Sequence, residues 1–270
     1  MRKTTALCLG AAAVGAAVLW AVAPQRAEKQ KAEPFVGRYY AHRGLHAADA
    51  AVPENSLPAF RLAAEAGYGI ELDVHLTADD RVIVFHDDDL QRMCGVDAAT
   101  ESLTYEQLRR LTLEGTAWGI PLLSEVLSVY GGAGPLVLEV KTGPRKYELC
   151  EKTVEILRDY PGDVCIESFD PLILCWFRRN APQYLRGQLA QPAEGYEGYS
   201  KLLGFVLSHC LTNFMGRPHF IAYKLGRKAL GARLAEAMGA LQFGWTSRSL
   251  TDPKPRDGMI FEHYRPDLYL

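Results

Sequence analysis

From Thr4 to Ala23 small and apolar residues run without a single charge, and two threonines are the most polar side chains in the stretch. As a helix, twenty such residues span roughly 30 Å, about the thickness of a bilayer's hydrocarbon layer. Arg2 and Lys3 precede the run, Pro24 ends it, and the mixed-charge stretch Gln25 to Glu33 follows. Residues 1–33 are therefore expected to form a single-pass transmembrane helix and its linker. A secretory signal is the alternative, because Ala21, Val22 and Ala23 make an A-x-A pattern. Pro24, just past that point, would hinder cleavage, so the uncleaved anchor is the reading taken. Eight of the twenty residues are alanine, which makes the segment only weakly hydrophobic.

Beyond the linker the pattern changes to short β-branched runs alternating with longer stretches of helical period. Strands are predicted at Tyr39 to Ala41, Ile70 to His75, Val82 to Phe85, Leu136 to Val140 and Val164 to Glu167, with weaker ones near Gly187, Ile221, Phe243 and Met259. Leu57, Phe60, Ala63 and Ala64 are spaced three and four apart, which predicts a helix over Leu57 to Ala66 with Ser56 as its cap and Gly67 closing it. Tyr147 to Asp159 and Pro171 to Asn180 follow the same logic. Such alternation over residues 34–270 predicts an α/β fold, a (β/α)₈ TIM barrel, with a doubly wound open sheet as the rival. Residues 88–121 break the alternation with turn residues and one helical pattern, Thr104 to Leu111, and are expected to be a small insertion after the second strand.

Composition adds exclusions. Across 270 residues, 48% are hydrophobic and 23% charged, which describes a folded chain. The net charge is −2, so no general attraction for nucleic acid is expected. The six cysteines include no C-x-x-C pair, which argues against a zinc site and against a disulfide framework. Unpaired thiols fit a reducing compartment, whereas Arg2 and Lys3 would hold the N-terminus inside and export the body. The sequence leaves the side of the membrane open.

The chemistry lies at the strand ends. Apolar strands run into Ala41-His42-Arg43-Gly44, Ile70-Glu71-Leu72-Asp73-Val74, Phe85-His86-Asp87 and Leu138-Glu139-Val140-Lys141, where turn residues would be ordinary. Glu71 and Asp73 are two apart on a strand and share a face, as do Glu139 and Lys141. Like charges turned into a barrel are costly unless neutralised. Glu71, Asp73 and Glu139 therefore suit a hard divalent cation, Ca²⁺ or Mg²⁺, although strand-end carboxylates paired with Arg and Lys would give the same sequence. His42 and His86 are candidate general acid and base, titrating near neutral pH. His46, His75, His209, His219 and His263 are expected to be structural. Arg43 and Lys141 are candidate phosphate contacts. Glu54 and Asn55 open a helix, and Trp245 is a possible pocket residue.

In this order the motifs "AHRG", "PENSLPAF", "AGYGIELDVHLTADDRVIVFHDDDLQRMCG", "LTYEQLRRL", "IPLLSEVL" and "LVLEVK", and more loosely "CIESFDP" and "DGMIFEHYRP", resemble the glycerophosphodiester phosphodiesterase family from about Tyr39 onward. That resemblance implies metal-dependent hydrolysis of small-molecule glycerophosphodiesters to glycerol 3-phosphate and an alcohol. It places the catalytic histidines on His42 and His86, the metal carboxylates on Glu71, Asp73 and Glu139, the phosphate contacts on Arg43 and Lys141, and supporting residues on Glu54 and Asn55. The terminal Glu262-His263-Tyr264-Arg265-Pro266 departs from the family's short acidic motif, a difference expected to touch substrate fit more than chemistry. The roles of the two histidines, and direct attack by water against a cyclic phosphate, stay open. Two other functions fit the same sequence: phospholipase D- or C-like cleavage of membrane lipids, which requires an apolar rim at the mouth, and a non-catalytic membrane-bound binding barrel.

Overall fold

A computed structural model of the chain describes residues 2–46 and 51–270, with the side chains of residues 2–11 left aside. Nine strands form one sheet: β1 (Arg38–Ala41), β2 (Gly69–Leu76), β3 (Val82–Val84), β4 (Leu136–Val140), β5 (Val164–Ser168), β6 (Leu185–Ala190), β7 (Phe220–Lys224), β8 (Leu241–Ser247) and β9 (Gly258–Phe261). β1 pairs in parallel with both β2 and β9, so eight strands close on themselves. Closure excludes the open sheet and gives the TIM barrel. β3 stands outside the ring, antiparallel on β2 with Val84 opposite Val74.

Strand alternation sorts side chains to two cores. Outward residues such as Ile70, Leu72, Val74, Leu136, Leu138 and Ile166 pack under the helices. Inward residues, among them Tyr40, Val137, Cys165, Leu185, Phe220 and Phe243, fill the lower barrel. Phe220 needs room there, and Gly187 supplies it: a Cβ at Gly187 would stand 2.0 Å from the ring. Above this apolar fill the inward positions turn polar, and there the site is built.

The principal helices after the N-terminal one, α1 (Arg2–Val22), are α2 (Leu57–Ala66), α3 (Leu123–Tyr130), α4 (Lys146–Leu157), α5 (Pro171–Asn180), α6 (Lys201–Ser208) and α7 (Leu230–Ala237). Their ends follow the sequence signals. Ser56 Oγ accepts from Ala59 N at 3.4 Å and Gly67 closes α2 at φ 77°; Asp170 caps α5 by accepting from Leu172 N at 2.8 Å. Residues between β3 and α3 gather a small core of their own from Phe85, Leu90, Met93, Leu108, Leu113 and Ile120.

The N-terminal segment departs from expectation. Its backbone is helical, yet among the described residues no helix is long and apolar enough to cross a membrane. The last turn of α1 is engaged with the barrel. Val22 is fully buried beside Ile221, Ala232 and Ala235. Asn213 Nδ2 donates to Val22 O at 3.0 Å, and Arg217 Nη1 donates to the carbonyls of Trp20 and Ala23. The linker continues beneath the strands, with Gln25 N bonded to Pro218 O, Gln25 Oε1 accepting from the buried Arg186, and Phe35 packed into the barrel floor. Cys94, Cys150, Cys165, Cys175 and Cys210 are all free thiols, while the side chain of Cys8 falls outside the described residues.

Candidate active site

The polar layer sits at the C-terminal ends of the strands, where barrels of this type carry their chemistry. In-register pairing aligns Asp73 with Glu139 and Glu139 with Glu167, so three adjacent strands project carboxylates to one level, with Glu71 two residues below Asp73. Oxygens of Glu71, Asp73 and Glu139 lie within 4.8 Å of one another, all three residues buried.

Cations bind this cluster unequally. Lys141 Nζ lies 2.8 Å from Asp73 Oδ1 and 3.0 Å from Glu139 Oε1. Arg43 Nε lies 3.6 Å from Asp73, its Nη1 donates to Glu54 Oε1 at 2.8 Å, and its backbone N–H donates to Glu71 Oε2 at 3.0 Å. Burial opposes ionisation of Asp73, but Lys141, His86 and Arg43 outweigh it and hold its carboxyl well below the usual range. Glu71 is the opposite case: burial, then Asp73, Glu167 and Glu139, push it well up. Glu139 is also raised, by burial that Lys141 only partly offsets. Lys141 is raised despite burial, by the same two carboxylates.

The loop after β1 is held in an uncommon backbone. Arg43 and Asn55 both have positive φ, 53° and 52°, and Asn55 N donates to Arg43 O at 2.8 Å. Residues other than glycine rarely adopt this conformation unless their surroundings impose it. Here the result is that Asn55 Nδ2 reaches Asp73 Oδ2 at 2.8 Å while Asn55 Oδ1 is left buried without a partner.

Each candidate histidine is backed by a carboxylate. His42 Nδ1 lies 2.5 Å from Glu262 Oε2, which leaves its Nε2 facing Glu71 at 3.9 Å. His86 Nδ1 lies 2.6 Å from Asp87 Oδ1. A carboxylate on Nδ1 fixes that nitrogen as the N–H and leaves Nε2 to exchange a proton. Both carboxylates are themselves anchored, Glu262 by Arg248 Nε at 2.6 Å and Asp87 by Arg92 Nε at 2.6 Å. Arg92 also reaches Glu54, and so links the His86 side to the Arg43 side. Burial lowers the His42 pKa against the opposing pull of Glu262.

All the residues singled out from sequence converge here. His42, Arg43, Glu71, His86, Glu139 and Trp245 border a mouth cavity of about 280 Å³, and Lys141 borders an adjoining one of about 390 Å³. Glu54 and Asn55 support the rim as described, and Trp245 Nε1 donates to Ala222 O at 3.0 Å. His75, expected to be structural, is buried with Nε2 3.3 Å from His86 O and Nδ1 3.5 Å from Glu101. His46 is less inert than expected: its Nε2 is buried without a hydrogen bond, 3.9 Å from Glu262.

Sequence reasoning missed three participants. Glu262, whose motif was expected to bear on substrate fit more than on chemistry, is the partner of His42; its distance of 220 residues in sequence hides the contact. Asp87 was legible as the residue after His86. Glu167 lines the mouth cavity, 1% exposed, with Oε2 lacking a hydrogen bond, and burial with Glu139 and Asp73 pushes its pKa well up.

The site's donor set suits a hard divalent cation, since all three converging groups are oxygens and positive charge nearby does not match them. Arg43 is shared with Glu54, Glu71 keeps a raised pKa, and Asn55 Oδ1 is unpartnered.

This fold and site define a TIM barrel with a cluster of buried carboxylates able to hold a metal ion and two carboxylate-backed histidines at its mouth. The chain belongs to the glycerophosphoryl diester phosphodiesterase family, whose family model matches residues 42–248. It is 34% identical to a glycerophosphodiester phosphodiesterase of Caldanaerobacter subterraneus over 52% of this chain and 62% of that one. It is 31% identical to a lysophospholipase D of Rattus norvegicus over 59% and 54% respectively. The chain thus spans between half and two thirds of the length of these two relatives. Among solved structures, an Oleispira antarctica phosphodiesterase in complex with sn-glycerol-3-phosphate superposes with TM-score 0.67 at 22% identity, over 86% of this chain and 95% of that one. A Thermotoga maritima glycerophosphodiester phosphodiesterase does so with TM-score 0.60 at 26% identity, over 83% and 93%.

Proposed function

We propose that this barrel hydrolyses glycerophosphodiesters to glycerol 3-phosphate and an alcohol. The observation that carries the reading is the pair of histidines, each with Nδ1 held by an anchored carboxylate, on the border of a cavity that also holds three buried carboxylates, with Arg43 and Lys141 beside them. A barrel that only binds ligand has no use for two such oriented proton carriers.

In this reading Glu71, Asp73 and Glu139 hold Ca²⁺ or Mg²⁺, which when bound neutralises charge on the phosphoryl oxygens. Arg43 and Lys141 orient the phosphodiester and oppose the charge that develops on it. One histidine removes the proton of the attacking hydroxyl or water, and the other protonates the leaving alkoxide. The carboxylates on Nδ1 stabilise whichever imidazole becomes charged. Kinship with the phosphodiesterases named above supports the substrate class.

Release of glycerol 3-phosphate from a panel of glycerophosphodiesters, with and without chelator, tests this. Turnover that vanishes on chelation and returns with Ca²⁺ or Mg²⁺ is expected; full activity after confirmed metal removal would refute the metal reading, and absence of glycerol 3-phosphate from every diester would refute the substrate.

A further inference from the structure

The mouth has two unlike sides. On the side of β1 to β4 the described rim carries Asp87, Asp88, Asp89 and Arg92, with Tyr147 exposed at the start of α4. On the other side, each segment leaving β5, β6, β7 and β8 presents an exposed apolar residue: Leu172 at the start of α5, Leu202 at the start of α6, Leu230 at the start of α7, and Leu250 after β8. Leu202, Leu230 and Leu250 are 74%, 60% and 65% exposed, values far from those of a residue covered by its own fold. Burying a leucine is favourable, so four successive loops forgo that gain at one end of the molecule.

Behind this rim lies a largely apolar cavity of about 550 Å³, walled by Phe169, Leu172, Tyr196, Tyr199, Leu203 and Leu207, with Lys146, Asp170 and Glu197 also on its lining. Phe169 also lines both cavities of the catalytic mouth, so the apolar space adjoins the place where the phosphodiester would sit. Lys201 next to Leu202 and Arg227 close to Leu230 add a basic flank of the kind common at membrane interfaces, while Lys228 is paired with Glu236.

We propose that the β5–β8 side of the mouth docks on a lipid surface, with the adjoining cavity receiving an acyl chain of a lipid whose phosphodiester enters the site. The proposal rests on the phosphodiesterase reading for the chemistry, while the docking itself stands on the rim alone. An apolar cavity opening beside an apolar rim is what a chain passing from bilayer to site requires; a protein partner would cover the leucines but leave the cavity without an occupant. The surface lies at the strands' C-terminal ends, whereas the linker after α1 runs beneath their N-terminal ends, so docking here does not depend on the N-terminal helix.

Hydrogen exchange of the full chain, alone and with phosphatidylcholine vesicles with or without phosphatidylglycerol, tests the rim separately from α1. Protection is expected over residues 198–206, 226–232 and 248–252. The triple variant Leu202→Asp/Leu230→Asp/Leu250→Asp should lose that protection and at least about tenfold in vesicle affinity, while hydrolysing a soluble glycerophosphodiester within about twofold of the parent. Vesicle binding that protects only α1, or equal protection in the triple variant, would overturn the proposal. So would protection of these segments without lipid as protein concentration rises, which would assign the surface to a second copy. A parent protein that is protected by vesicles yet cleaves no phosphodiester would overturn the chemical reading and leave the docking surface standing.

Discussion

The two sides of the barrel mouth use opposite physics. From β1 to β4 nearly every side chain at the mouth is charged and held by another: Lys141 spans Asp73 and Glu139, Arg43 ties Glu54 to the β2 carboxylates, and Arg92 joins Glu54 to Asp87. From β5 to β8 aromatic and aliphatic side chains take a larger share of the wall, beside Glu167, Lys224 and Arg248, with Phe169 set at 90° to Trp245 and 5.7 Å between ring centres. Charge networks demand fixed geometry, because a half-satisfied buried ion is costly. Apolar walls tolerate variation in shape. The first side can therefore hold reacting atoms in place, and the second can accommodate whatever is attached to them.

The sharpest way to break this division is to remove one carboxylate of the triad. Glu139→Gln should lower turnover by roughly a thousandfold or more and weaken divalent-ion binding, because it removes a metal oxygen and one partner of Lys141 together. Titration calorimetry with Ca²⁺ and Mg²⁺ beside steady-state kinetics reads both effects. Unchanged metal affinity with unchanged kcat would place the chemistry elsewhere.

Next in size come His42→Asn and His86→Asn, each expected to cost about 10²- to 10⁴-fold in kcat with the fold and metal binding intact. The double variant should lose much less than the product of the two, since the pair works as one proton-transfer unit. His75→Asn serves as a comparison. His75 lies on the same strand as Asp73, with its ring nitrogens facing the backbone carbonyl of His86 and the side chain of Glu101. A smaller loss than either histidine variant is expected, and an equal loss would mean that the acid–base pair has been misassigned.

Those residues were legible because a charged residue at the end of an apolar strand is conspicuous and because strand alternation states which face it takes. The barrel itself was legible from the order of strands and helices. Less so was β3, which reads as one more strand and stands outside the ring because it turns back antiparallel on β2. The expected transmembrane helix is not borne out: among the described residues no helix is long and apolar enough to cross a membrane, and Val22 belongs to the barrel's packing. Glu262 shows a further limit. Closure of the barrel brings β9 beside β1, and no local pattern announces that contact.

Glu262→Gln sharpens the comparison within the charged side. Loss of about ten- to a hundredfold in kcat/KM is expected, the range found when a group that orients a working imidazole is removed. Its pH profile carries the sign. Burial lowers the His42 pKa and Glu262 raises it, so removing the carboxylate lets the pKa fall further. If His42 is the base, the acid limb of kcat/KM therefore moves to lower pH. An unmoved limb with the same loss of rate would assign Glu262 to structure alone.

The smallest effect contrasts the mouth with the barrel floor, where a buried imidazole stands at the N-terminal end of β7. His219 is 4% exposed and its Nδ1 accepts from Arg186 N at 3.0 Å, an arrangement that requires the neutral ring. Burial first, then Arg186 and Lys31, lower its pKa from 6.5 to about 3. The folded state thus binds fewer protons than the unfolded state between those values. Its contribution is complete above pH 6.5 and is lost as pH falls toward 3, the loss reaching roughly 2 kcal/mol by pH 5. His219→Gln keeps an acceptor for Arg186 N and cannot be protonated, so its melting temperature should fall less between pH 7.5 and pH 5 than that of the parent. Equal slopes in the two proteins would mean that acid sensitivity resides elsewhere, in the carboxylates of the charged side of the mouth.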